Sequence, residues 1–126
     1  MADQVRHIAS AQEFASLLSS TQYVVADFYA DWCGPCKSIA PIYTQLAKTH
    51  TVPAYLAFAK VNVESVRDVA MQYNITAMPT FMFFKDGKQV AVNGQPLIRA
   101  ADPRSLGAAA EKLGRLAKEK AAAASA

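Results

Sequence analysis

The sequence predicts an α/β fold, with a central mixed parallel/antiparallel β-sheet flanked by helices on both faces. Two observations carry this. Strand-like and helix-like runs alternate in the order β-α-β-α-β-α-β-β-α, and strands joined through a helical crossover lie parallel. The last two strand runs are separated only by Asp86-Gly87, a tight-turn dipeptide that makes an antiparallel hairpin. Such a sheet has two apolar faces to cover, and the intervening helices cover them.

The elements follow in order. Val5-Arg6-His7-Ile8 alternates as a short strand does. Ser10-Ala11-Gln12-Glu13 is a capping box that opens a helix through about residue 18. Tyr23 to Tyr29 is apolar apart from Asp27, the pattern of a central strand buried on both faces. A second helix begins at the two cysteines and runs to about His50, with Pro41 in its interior predicting a kink. Tyr55 to Val63 reads as the next strand. Ser65-Val66-Arg67-Asp68 reads as a further capping box, with Asp in place of Glu, opening a helix to about Tyr73. Thr80 to Phe84 is rich in strand formers, and Gln89-Val90-Ala91-Val92 follows the turn. Asp102 and Pro103 stand as N-cap and first helical residue of the last helix. Its apolar stripe is Leu106, Ala109, Ala110, Leu113, Leu116 and Ala117. Residues 1–119 form one domain on this reading, and the alanine-rich tail, residues 120–126, either extends the helix or frays.

Bulk properties exclude several classes. A chain of 126 residues, 52% hydrophobic, can build a core without staples. The net charge of +3 draws on Arg104, Lys112, Arg115, Lys118 and Lys120, a solvated helix face, and no basic block interleaves with aromatics, so no nucleic-acid partner is expected. No apolar run approaches the ~20 residues that span a bilayer, so no membrane partner is expected. Met1 to His7 has no apolar leader segment. That predicts a cytoplasmic protein, where a Cys-x-x-Cys is catalytic or metal-binding more often than structural.

Cys33 and Cys36 are the only cysteines, in the run Asp31-Trp32-Cys33-Gly34-Pro35-Cys36-Lys37 between a strand and a helix. A thiol at a helix N-terminus meets unpaired N–H groups and the positive end of the helix dipole, which favour the nucleophilic thiolate. The second cysteine, one turn on and on the same face, can reach the first and close a small disulfide ring. A structural zinc usually needs four ligands. Besides the cysteines, only His7 and His50 are at hand, at unsuitable spacing, so no metal is expected.

Trp32-Cys33-Gly34-Pro35-Cys36-Lys37 matches the active-site motif of thioredoxins residue for residue. Asp27, Lys60, Met78-Pro79-Thr80 and Phe84-Lys85-Asp86-Gly87 agree in order and spacing. From about Val5 to Leu116 the chain resembles a cytosolic thioredoxin, which implies the thioredoxin fold. The resemblance implies a general protein-disulfide reductase, recycled by an NADPH-dependent thioredoxin reductase and acting on disulfide-containing proteins. It implies a monomer with no bound cofactor, the Cys33–Cys36 disulfide itself being the redox carrier. Cys33 is then the attacking nucleophile and Cys36 the resolving thiol. Gly34-Pro35 resembles the reducing members. Members with His before the second cysteine are oxidants or isomerases, because His⁺ stabilises the dithiol form. Two alternatives remain open: an isomerase or oxidase of the same fold, and a thiol-dependent binding module.

The resemblance also assigns the surroundings. Asp27, a carboxylate inside an apolar strand, matches the family's buried acid, a proton acceptor for Cys36, unless it faces solvent at the strand end. Lys60 is its partner or a snorkelling surface lysine. Met78-Pro79 is expected to be cis by resemblance, turning the Met78 backbone toward an extended substrate chain. Trp32, with Pro35, Ala77 and Met78, forms an apolar docking surface, or is partly buried as core. Tyr29 stands where many members have Trp. Ala100-Ala101 replaces the usual small Gly at the loop bordering the substrate groove. Val92 to Ile98 is longer than the common hairpin by a few residues.

Overall fold

A computed structural model describes residues 4–126. Residues 1–3, which open the N-terminal stretch read above as leaderless, lie outside the described residues. The elements are β1 (Val5–His7), α1 (Ala11–Ser20), β2 (Tyr23–Tyr29), α2 (Gly34–His50), β3 (Leu56–Asn62), α3 (Arg67–Gln72), β4 (Thr80–Lys85), β5 (Lys88–Val90), β6 (Leu97–Ile98) and α4 (Pro103–Ser125). The sheet order is β1-β3-β2-β4-β5, with β6 also on β4. β1 and β2 flank β3 in parallel, whereas β4 runs antiparallel to β2. The mixed sheet is therefore the expected one.

Alternation along the strands divides the core between two faces. Tyr23 and Val25 of β2, Leu56 and Phe58 of β3, and Phe81 and Phe83 of β4 face α2 and α4. Val24, Ala26 and Phe28 face α1 and α3, with Ala57, Ala59, Val61, Met82 and Phe84. On the first face α2 contributes Ile39, Tyr43 and Ala47, and α4 contributes Leu106, Ala109, Ala110, Leu113 and Ala117. The two helices touch closely at Gly114, where an added Cβ would lie 2.7 Å from His50 Nδ1.

Local signals set the helix ends. Ser10 Oγ accepts the Glu13 N–H at 3.1 Å, as the capping box requires. The return bond comes from the Ala9 N–H to Glu13 Oε1, at 3.4 Å. α1 runs two residues past the expected end, its last turn closed by the Ser19 and Ser20 hydroxyls donating to the Ser16 and Leu17 carbonyls. α2 passes through Pro41 without a break. Asp102 caps α4 by accepting the Ser105 N–H and hydroxyl, which holds its carboxyl below the usual range.

Three expectations need correction. The box at Ser65 does not form, because the Asn62 side chain takes the Ser65 N–H and Asp68 Oδ1 accepts the Val69 N–H. α3 starts one residue late behind an uncapped Val66. The strand placed at 89–92 ends at Val90, and a further strand, β6, was not foreseen. β5 and β6 cover successive stretches of one edge of β4. Between them the chain makes an excursion closed by Val92 and Gln95, with Asn93 and Gly94 at φ 53° and 78°. That Asn-Gly turn accounts for the extra length of the segment. The alanine-rich tail, by contrast, continues α4, which runs to Ser125.

Candidate active site

The site is assembled at the end of the sheet where β2 passes into α2. Cys33 is the N-cap of α2, and the Cys36 N–H donates to its Sγ at 3.2 Å. The two sulfurs are joined in a disulfide across Cα atoms 5.3 Å apart. In the dithiol form the same N–H and the helix N-terminus are aimed at whatever charge Cys33 Sγ carries. Both cysteines are only 4% exposed, while Trp32 beside them is 66% exposed. That exposure removes the reading of Trp32 as core. Gly34 and Pro35 lie exposed on the first turn.

Met78–Pro79 is cis. The Met78 carbonyl oxygen lies 3.6 Å from Cys33 Sγ, so the peptide before Pro79 faces the dithiol. Ala30, with Tyr29, Val63 and Met78, packs around the two cysteines. Val63 was not foreseen as a neighbour of the site; it read only as the last residue of a strand. Ala77 is half-buried. Ala101 packs into the core under α4 and Ala100 is exposed. Among the described residues neither joins the apolar cluster about the cysteines. From Met78 a groove of about 470 Å³ runs past Val63, Ala70, Ile75 and the exposed Met71.

Asp27 is 1% exposed, which excludes a solvent-facing strand end. It follows Val25 by two residues and so faces the α2 side of the sheet. Its Oδ1 has no hydrogen-bond partner. Burial pushes its carboxyl up to about 7, against a smaller opposing pull from Lys60. Lys60 is directly across from it on β3. The Lys60 ammonium sits 4.4 Å above the centroid of the Tyr29 ring. Tyr29, Cys36, Lys37, Ala40 and Lys60 line a cleft of about 180 Å³.

Tyr43 is a further unforeseen feature. It is fully buried, and its hydroxyl reaches the Val25 carbonyl at 3.0 Å and the Ala59 carbonyl at 2.7 Å, pinning α2 to the two central strands. Burial, and then the charge of Asp27, hold its phenol well above the usual range. Its place on the buried stripe Cys36-Ile39-Tyr43-Ala47 was legible, and a buried phenol usually has a partner. Among the described residues no group of three or more His, Cys, Asp or Glu is placed to hold a metal.

A cysteine pair at a helix N-terminus, an apolar collar with an exposed indole, and a buried acid behind the helix define a protein that exchanges dithiol for disulfide. The thioredoxin family model matches residues 5–100. The chain is 71% identical over 124 residues to a Neurospora crassa thioredoxin, covering 98% of each. It is 69% identical over 118 residues to a Fusarium culmorum thioredoxin-like protein, covering 94% of this chain and 98% of that one. Among solved structures, Plasmodium falciparum thioredoxin superposes with a TM-score of 0.76 at 39% identity, covering 85% of this chain and 97% of that one. The chain belongs to the thioredoxin family and is a protein-disulfide oxidoreductase working through Cys33 and Cys36.

Proposed function

We propose that this oxidoreductase works in the reducing direction, as a general protein-disulfide reductase in the cytoplasm. The observation that carries the reading is the pairing of an N-cap cysteine with a buried carboxylate, its Oδ1 without a hydrogen-bond partner, behind the same helix. The Cys33 thiolate attacks one sulfur of a substrate disulfide. That S–S bond breaks, a Cys33–substrate disulfide forms, and the other substrate sulfur leaves as a thiolate that takes a proton from water. The Cys36 thiol then gives its proton to Asp27. Its thiolate attacks Cys33 Sγ, and the second substrate thiolate departs. Two electrons have passed to the substrate, and the protein holds the Cys33–Cys36 disulfide.

With a carboxyl titrating at about 7, a large share of Asp27 is ionised at neutral pH and can accept that proton. The charge of Lys60, across from it on β3, modulates it without a hydrogen bond to Oδ1. Gly34-Pro35 brings no cation near the thiolate, which keeps the disulfide form the favoured one. An extended substrate segment pairs with the Met78 backbone beside Pro79 and rests on Trp32, Pro35 and Ala77. The loop at Ala100-Ala101 limits that surface and bears on partner choice. An NADPH-dependent thioredoxin reductase returns the protein, as a monomer without bound cofactor, to the dithiol.

The test is turnover of a disulfide-bonded protein with NADPH and a fungal thioredoxin reductase. The reading predicts NADPH consumption that Cys33→Ser abolishes. It also predicts that Cys36→Ser accumulates a mixed disulfide. No NADPH consumption by the parent protein would contradict it, and partner capture that survives Cys33→Ser would favour the binding module.

A further inference from the structure

The register sets Asp27 and Lys60 side by side on β2 and β3, an arrangement in which an ion pair would normally close. Here Asp27 Oδ1 is left without a partner, and the Lys60 ammonium stands over the Tyr29 ring instead. Tyr29 lies two residues beyond Asp27 on the same face of β2. It lines, with Lys60 and Cys36, the cleft beside the dithiol. A cation over an aromatic face keeps part of its hydration while gaining the attraction of the ring. Pairing with Asp27 would take the ammonium into the interior, at a desolvation cost the ring seat avoids.

We propose that Tyr29 is a positioning residue: its ring seats the Lys60 ammonium in the cleft and away from the Asp27 carboxylate, leaving that carboxylate unpaired and ready to accept a proton. The inference rests on the reading of Asp27 as proton acceptor and deepens it. The charged and titratable groups about Lys60 are Asp31 and Lys37, which line the same cleft, and His7, its register partner on β1; among the described residues Lys60 is the cation whose charge acts on Asp27. α2 presents Tyr43 and Cys36, with the Tyr43 hydroxyl held on the Val25 and Ala59 carbonyls. β4 presents Phe81 across from Asp27. α4 presents Leu106, Ala109, Ala110 and Leu113. Tyr43 and the Cys36 thiol carry no positive charge, and neither can replace Lys60.

The experiment is a carbon-13 NMR titration of the Asp27 carboxyl in the oxidised protein, where the cysteines do not titrate. Tyr29→Leu releases Lys60 toward the carboxylate, and the Asp27 midpoint is expected to fall by ~1 pH unit. Tyr29→Phe and Tyr29→Trp keep a ring and are expected to leave the midpoint in place. Lys60→Met is expected to raise it, and in that background Tyr29→Leu should add nothing. Equal midpoints for Tyr29→Leu and the parent would overturn the proposal. So would a Tyr29→Leu shift that persists with Lys60→Met, since it would then come from altered burial. The pH profile of substrate release from the Cys33 mixed disulfide separates the two readings. If the midpoint moves in Tyr29→Leu and the profile does not follow, the ring seat stands and the proton-acceptor role of Asp27 fails.

Discussion

The two faces of the sheet are made from the same strands and serve different ends. Toward α1 and α3 the interior is apolar and aromatic. Phe14 meets Phe28, Tyr73 and Phe84 edge to face, with ring centroids 5.6–6.5 Å apart. Toward α2 and α4 the same strands bury a carboxylate and a phenol and place a lysine over a ring. The first face holds the fold together. The second gives up stability at one position to keep a titratable group behind the reacting sulfurs. A substitution on the first face should therefore change stability at every pH, and one on the second should change stability and chemistry together, in a pH-dependent way.

The largest effect expected is on turnover. Cys33→Ser should reduce disulfide reduction to the uncatalysed background, whereas a destabilising change on the far face, such as Phe14→Ala, should leave the rate per folded molecule unchanged. Phe14→Ala sharpens the comparison from the other side. It removes a ring that is 2% exposed and has three aromatic neighbours, and should cost about 3–5 kcal/mol. Denaturant unfolding should return the same loss at pH 4 and pH 8.

Asp27→Asn should do the reverse. The carboxyl is raised from 3.8 to about 7 in the folded protein. Between those values the folded state binds more protons than the unfolded, so stability falls as pH rises. Three units correspond to about 4 kcal/mol. The variant should therefore gain up to about that amount over the parent at pH 8 and little at pH 4. At the same time, release of substrate from the mixed disulfide should slow by ~10-fold or more near neutrality. A gain that did not vary with pH would break the distinction between the faces. The smallest effect belongs to the caps. Ser10→Ala should cost ~1 kcal/mol without touching the chemistry, read from unfolding beside an unchanged turnover rate.

Much of this was legible in the chain. The order of elements, the sheet's mixed character and the position of the dithiol followed from periodicity and from Asp86-Gly87. Asp27 stood out because a carboxylate interrupts an otherwise apolar strand. The remainder depended on contacts between distant segments. Ser65-Val66-Arg67-Asp68 had the spacing of a capping box, yet Asn62 upstream takes the Ser65 N–H and the Asp68 carboxylate accepts the Val69 N–H instead. β6 is two residues long and depends on an edge that β5 leaves open. The alternatives for Lys60 could not be narrowed from its own neighbours in sequence, because its seat is a ring on another strand. Tyr43 was not singled out in the sequence, because only the sheet carbonyls above it give its hydroxyl a purpose.

The most direct test of the central claim is the equilibrium reduction potential of the Cys33–Cys36 pair, titrated against a dithiol buffer and read by alkylation or by the fluorescence of Trp32. The account predicts a value near the roughly −270 mV characteristic of thioredoxins, a reference value for the family and not a quantity derived from this geometry. A value at roughly −180 to −120 mV, where isomerases and oxidants lie, would contradict it.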